Sequence, residues 1–122
     1  MERRSVLIGA GSAAVAAGDG ATAFGTSSRA AAPHSFAAGW AARAEGGSSL
    51  AVGRDVAATG GETVALGFQT VAAGPWSVAA GNTNRAEGAA SVALGLGTTA
   101  ASEFAVAAGS NAVASGRASL AI

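Results

Sequence analysis

Branched apolar residues alternate with small residues in short segments that recur along the chain. Clear examples are Ser-Leu-Ala-Val-Gly at 49–53, Thr-Val-Ala-Leu-Gly at 63–67 and Ser-Val-Ala-Leu-Gly at 91–95. A branched residue at every second position is typical of a β-strand, whereas an amphipathic helix repeats every three to four residues. The pattern therefore predicts short strands and an all-β chain.

A glycine ends each segment and recurs every 14 residues without a miss. We call this position column zero and number the other columns by their offset from it. Alanine fills column −2 and column +5 in every unit. A helical heptad is excluded, because each helical glycine costs about 1 kcal/mol and no leucine seam compensates. Column zero consists of Gly11, Gly25, Gly39, Gly53, Gly67, Gly81, Gly95 and Gly109.

Fourteen residues are enough for two strands of about five residues and two tight corners, which make one coil of a flattened parallel β-solenoid. Glycine would then lie at the corners, where a turn needs positive φ or close backbone approach. The two alanine columns would point inward from opposing strands and fill a narrow interior. We predict an N-terminal tail at residues 1–4 and a β-roll domain of about eight repeats at 5–122.

The strand before column zero has a second, outward face that is large and apolar and includes Phe36. A stripe of this kind is rarely left exposed on a soluble monomer. The other strand carries Arg43-Ala-Glu45 and Arg85-Ala-Glu87, whose opposite charges indicate a face in contact with water. We therefore predict a closed oligomer with the apolar stripes at its centre. The predicted interface residues are Leu50, Val52, Val64, Leu66, Val78, Val92, Leu94 and Val106.

Large apolar residues are also predicted at the corners of the coils. They follow column zero in every second coil or occupy the opposite corner. Such residues can anchor a binding partner, although packing against a neighbouring subunit is the favoured interpretation. The candidate partner-binding residues are Trp40, Phe68, Leu96, Trp76 and Phe104.

Charge and composition exclude several classes of function. Seven arginines balance seven acidic residues, so nothing favours nucleic acid. Cysteine is absent and no apolar run is long enough to insert into a membrane. The segment from Val6 to Ala14 resembles a dinucleotide-binding glycine motif, but no amphipathic helix follows it. Since His34 is alone and carboxylates are scattered, we predict no enzyme, cofactor or metal site.

The recurring Ser/Thr-Val-Ala-Leu-Gly segments resemble the YadA-like head repeats of trimeric autotransporter adhesins over residues 5–122. The resemblance implies a left-handed parallel β-roll that assembles as a homotrimer. Related head modules occur on bacteriophage fibres and spikes. The family motif associated with collagen has only partial counterparts at 76–82 and 90–96, so collagen binding is not expected.

Two functions are compatible with this resemblance. The favoured one is a structural component on a virion surface, such as a phage fibre, spike or capsid decoration, with an attachment role. The alternative is an adhesin head on a bacterial cell surface that binds host matrix or a receptor. The basic and apolar start of the chain resembles a leader only superficially, and no neck, stalk or anchor is recognised, which favours the virion. Expected partners are another virion or surface protein at one end of the roll and a host-surface receptor.

Overall fold

The computed structural model describes residues 6–8 and 14–122, with side chains from residue 14 onward, and every regular element in these residues is a β-strand. The strands form two parallel sheets, which we call sheet A and sheet B. Sheet A contains β1 (Val6–Ile8), β3 (Thr22–Phe24), β5 (Phe36–Trp40), β7 (Leu50–Arg54), β9 (Val64–Phe68), β11 (Val78–Asn82), β13 (Val92–Leu96), β15 (Val106–Ser110) and β17 (Leu120–Ala121). Sheet B contains β2 (Val15–Ala16), β4 (Arg29–Ala30), β6 (Arg43–Ala44), β8 (Ala57–Ala58), β10 (Val71–Ala72), β12 (Arg85–Ala86), β14 (Thr99–Ala100) and β16 (Val113–Ala114).

The chain alternates between the sheets and climbs one coil with each pair of strands. Equivalent residues of successive coils pair in register, so that Ala79 lies between Ala65 and Ala93 in sheet A. The predicted parallel β-solenoid with 14-residue coils is therefore confirmed. The prediction of two strands of about five residues holds only for sheet A, because strands of sheet B span two residues and the rest of each coil is turn.

The first coil departs from the 14-residue step. Strand β1 pairs with β3 so that Leu7 lies opposite Ala23, an offset of 16 residues. The prediction of an unbroken phase is wrong here, and Gly11 itself lies outside the described residues. Two extra residues preserve the inward and outward alternation of a strand, because its side-chain period is two, so the register of β1 remains compatible with the sheet.

The glycines of column zero lie within sheet A strands, and the prediction that they form the corners is wrong. Gly67, the fourth residue of β9, has a φ of +116°. A Cβ atom there would lie 2.0 Å from the carbonyl oxygen of Gly81 in the next coil. Only glycine fits a position that combines this backbone conformation with such close stacking of main chains.

Residues other than glycine make most of the corners in a left-handed backbone conformation. Thirteen of them have φ between 52° and 60°, a conformation that costs about 1–2 kcal/mol per residue. Hydrogen bonds to the preceding coil offset this cost, as when the Trp76 N–H donates to the Gly61 carbonyl at 3.0 Å. The thirteen are Ser27, His34, Ala41, Ser48, Asp55, Glu62, Gln69, Trp76, Thr83, Ala90, Phe104, Asn111 and Ala118.

The interior consists of four columns of small side chains. Columns −2 and +5 are the predicted alanines, which are buried from Ala23 to Ala114. Columns −4 and +3 add buried serine, threonine and asparagine side chains, with Val56 the largest fully buried apolar side chain in the described chain. Hydroxyls of column −4 donate to backbone carbonyls; the Ser49 hydroxyl lies 2.6 Å from the Gly46 oxygen. The core is thus narrow and partly polar.

Asn84 joins two coils inside this core. Its side-chain amide donates to the carbonyls of Ala80 at 2.6 Å and Gly95 at 2.8 Å. Its side-chain oxygen accepts from the backbone N–H of Thr98 at 2.9 Å and from the Thr98 hydroxyl at 2.8 Å. The buried amide therefore has a partner for each atom, which is the condition under which a buried polar group is tolerated.

We expect Gly67→Ala to lower the free energy of unfolding by about 3 kcal/mol or more, because the new Cβ would meet the Gly81 oxygen. Gly61→Ala is the matched control, since a Cβ at Gly61 has no atom within 4 Å. Denaturant unfolding at equal protein concentration measures both. Equal effects of the two substitutions would contradict the stacking of column zero.

Ser49→Ala and Ser91→Ala are expected to have opposite effects. Both serines are buried in column −4, but the Ser91 hydroxyl has no hydrogen-bond partner. Removing the bonded hydroxyl of Ser49 should cost about 1 kcal/mol, whereas Ser91→Ala should be neutral or stabilise by about 1 kcal/mol. Thermal unfolding of the two variants beside the parent chain provides the comparison, and a loss of stability in Ser91→Ala would show that its hydroxyl is bonded.

Candidate interaction surface

The outer face of sheet A carries three columns of side chains. Because successive residues of a strand point to opposite sides, the buried alanines of column −2 place columns −3, −1 and +1 on the outside. All eight predicted interface residues lie on this face, seven of them half-buried and Leu94 38% exposed. Column −3 holds Leu50, Val64, Val78, Val92 and Val106, and column −1 holds Val52, Leu66 and Leu94.

The same face continues beyond the predicted set. Phe24 and Phe36 lie at its N-terminal end, with ring centroids 5.7 Å apart and planes inclined at 52°. Leu120 extends column −3 at the other end and is 67% exposed. Their column positions could have identified all three from the sequence. The apolar stripe therefore runs along the described solenoid from β3 to β17.

Column +1 ends each five-residue strand of sheet A, and we call it the strand-end column. Trp40, Phe68 and Leu96 belong to it, so the prediction that they form corners is wrong. The reason is that strand pairing continues one residue beyond the column-zero glycine. Arg54 lies between two of the aromatic residues, with its guanidinium carbon 5.0 Å from the Trp40 ring centroid and 5.6 Å from that of Phe68. The strand-end column consists of Trp40, Arg54, Phe68, Asn82, Leu96 and Ser110.

Trp76 and Phe104 lie on corners at the opposite edge of sheet A, as predicted. Their φ values are 60° and 58°, and they are 62% and 52% exposed. The Arg117 guanidinium carbon is 6.0 Å from the Phe104 ring centroid, within the range of a cation–π contact. We call this column, at offset −5, the turn column. From the third coil onward it consists of His34, Ser48, Glu62, Trp76, Ala90, Phe104 and Ala118.

The outer face of sheet B has the opposite character. A nitrogen of Arg43 lies 2.7 Å from a carboxylate oxygen of Glu45, and Arg85 pairs with Glu87 at 2.9 Å. These ion pairs are partly exposed, so they contribute little stability. They keep this side of the solenoid hydrated and confirm the predicted charged face.

The described residues provide no arrangement for metal chemistry or for crossing a membrane. Nowhere in that part of the chain do three or more His, Cys, Asp or Glu side chains come together as ligands. A helix long and apolar enough to cross a bilayer is likewise not found there. His34 is exposed on a turn. Apart from the backbone of β1, the glycine motif from Val6 to Ala14 lies almost wholly outside these residues.

Comparison with known families agrees with the geometry of the coils. The profile of the YadA head domain repeat matches the sequence at residues 8–28, 16–42, 58–83 and 77–98. Together these segments cover 8–42 and 58–98, which is more than half of the 122 residues. A search of curated proteins gave no match.

Proposed function

The chain belongs to the family of YadA head domain repeats, and we propose that it is a non-enzymatic structural module displayed on a surface as a trimer of left-handed parallel β-rolls. The trimer and the handedness are properties that membership of this family implies. The proposal assigns the apolar face of sheet A to the trimer axis. Sheet B and the corners would then face the surroundings.

The contrast between the two outer faces is the observation that supports this function. Sheet A presents valine, leucine and aromatic side chains, whereas sheet B presents ion pairs such as Arg43 with Glu45. The interior holds mainly alanine, serine and threonine, so a single chain buries few large apolar groups when it folds. Packing three sheet A faces together would supply the missing burial, since the hydrophobic effect scales with the apolar area removed from water.

The order of columns on sheet A suits a closed ring. Column −1 lies in the middle of each five-residue strand, so its side chains would come nearest to the rotation axis. There Ala38 and Ala80 alternate with larger residues such as Leu66. Small and large side chains in successive layers can interdigitate around an axis parallel to the solenoid. A ring of three identical faces is also closed, which prevents continued growth.

An adhesive role would use the parts that remain outside the trimer core. We propose that a host-surface receptor contacts the corners and the hydrated face of sheet B, and that another surface protein binds one end of the roll. A rigid solenoid suits this task, because corners at fixed spacing present the same side-chain geometry in every copy.

We expect Leu66→Glu to convert the trimer into monomers, because three buried carboxylates would lie near the axis. Val71→Glu is the matched control, since Val71 is half-buried on the outer face of sheet B. Light scattering coupled to size-exclusion chromatography at micromolar concentration gives the mass of each. A monomeric parent chain, or a monomeric Val71→Glu variant alone, would contradict the assigned interface.

The kind of surface stays a prediction, with a phage virion favoured over a bacterial cell. Antibodies against the chain should label purified virions in immunogold electron microscopy. Bacteria that carry no phage provide the control and should remain unlabelled. Labelling of those cells without labelling of virions would assign the chain to the adhesin alternative.

A further inference from the structure

We propose that the two edges of sheet A recognise each other across copies of the chain, with the turn column of one copy packing against the strand-end column of the next. This inference rests on the proposed trimer and specifies which side chains meet within it. The partner is a second copy of this chain. The contact would surround the apolar stripe at the axis and set the alignment of neighbouring rolls.

The topology places the two columns at opposite edges of the same face. A sheet A strand runs from column −3 to column +1, about 13 Å, with the turn column just before it and the strand-end column at its end. In a ring of three, each contact joins two different surfaces, so one edge meets the other edge of the next copy. With the rotation axis parallel to the solenoid, residues at equal height face each other. Those residues are six apart in sequence.

Exposure of large side chains marks these edges as incomplete in a single chain. Trp76 and Phe104 on the turn column are 62% and 52% exposed. Trp40 and Leu96 on the strand-end column are 47% and 52% exposed. Aromatic and large aliphatic side chains of this kind become favourable when a partner removes them from water. A neighbouring copy covers both columns at once.

The sizes of the facing residues are complementary. Trp76 faces Asn82, Ala90 faces Leu96, and Phe104 faces Ser110 when the columns are aligned at equal height. Below them, Ser48 faces the long side chain of Arg54. A large residue on one edge therefore meets a smaller one on the other at four levels. This alternation favours one vertical alignment of the copies, because a shift by one coil would oppose Trp76 to Leu96.

The charges support the same alignment. Glu62 is exposed on the turn column and forms no ion pair within the described residues. Arg54 lies one coil lower on the strand-end column, held between the Trp40 and Phe68 rings, and its nearest carboxylate is Asp55 at 3.9 Å. Since Ser48 is small, it leaves room for the Arg54 guanidinium to reach Glu62 of the next copy. The sandwich of rings fixes the guanidinium for that contact.

Cysteine cross-linking tests the alignment directly, because the natural chain has no cysteine. The double variant Trp76→Cys/Asn82→Cys should form a covalent trimer on oxidation, seen by non-reducing electrophoresis. Within one chain the two positions lie at opposite ends of an extended segment, too far apart for a disulfide. The control Trp76→Cys/Ser110→Cys displaces one cysteine by two coils, about 10 Å, and should remain uncross-linked.

The outcomes separate this inference from the function on which it rests. A trimer by light scattering with no covalent link in the matched pair, or with equal linking in the displaced pair, overturns the edge contact alone. A monomer overturns both. A covalent trimer confined to the matched pair supports both.

A substitution within the turn column provides a second test. Ala90→Trp should weaken the trimer about tenfold, because tryptophan would collide with Leu96 of the next copy. The fold tolerates tryptophan in this column, as Trp76 shows. Ala118→Trp is the control, since Ala118 has nearly the same φ, 56° against 54°, and faces no strand-end residue within the 122 residues. Equal dissociation constants for the two variants would contradict the proposed contact.

Discussion

Close stacking of main chains along column zero is the constraint on which the rest of this structure depends. A Cβ atom at Gly67 would lie 2.0 Å from a carbonyl oxygen of the next coil, and the neighbouring glycines of the column are similarly enclosed. Coils that approach so closely leave a cross-section too narrow for large side chains. Alanine, serine and threonine fill it, and the larger apolar residues are displaced to the outer face of sheet A.

This displacement connects the interior to assembly. A domain of this size normally gains stability from a core of large apolar residues, and here that core would form only between copies. The buried polar groups fit the same narrow space, because serine and threonine hydroxyls of columns −4 and +3 donate to nearby carbonyls. Asn84 bonds to the coil above as well as to its own. Such bonds stabilise the stacking of coils without needing volume.

The outer surfaces divide the remaining tasks between them. Sheet B presents short strands and ion pairs to water, and the apolar columns of sheet A are suited to contact with copies of the chain. The two edges of sheet A, with their exposed aromatic residues and unpaired Glu62, lie between these regimes. A solenoid keeps every column straight, so a single choice of residue type per column sets the character of a whole face.

The sequence by itself determined the coil length, the buried alanines, the outward valines and leucines, and the Arg43–Glu45 and Arg85–Glu87 pairs, because a strict period reports which residues share a column and a face. Only the tertiary structure decided what each column's backbone does. It placed Gly67 within a strand, gave corner residues such as Glu62 positive φ, extended sheet A to Trp40 and Phe68, and offset Leu7 by 16 residues from Ala23. Hydrogen bonds between coils set these features, and they act on main-chain groups that every residue type carries, so side-chain periodicity contains no signal for them.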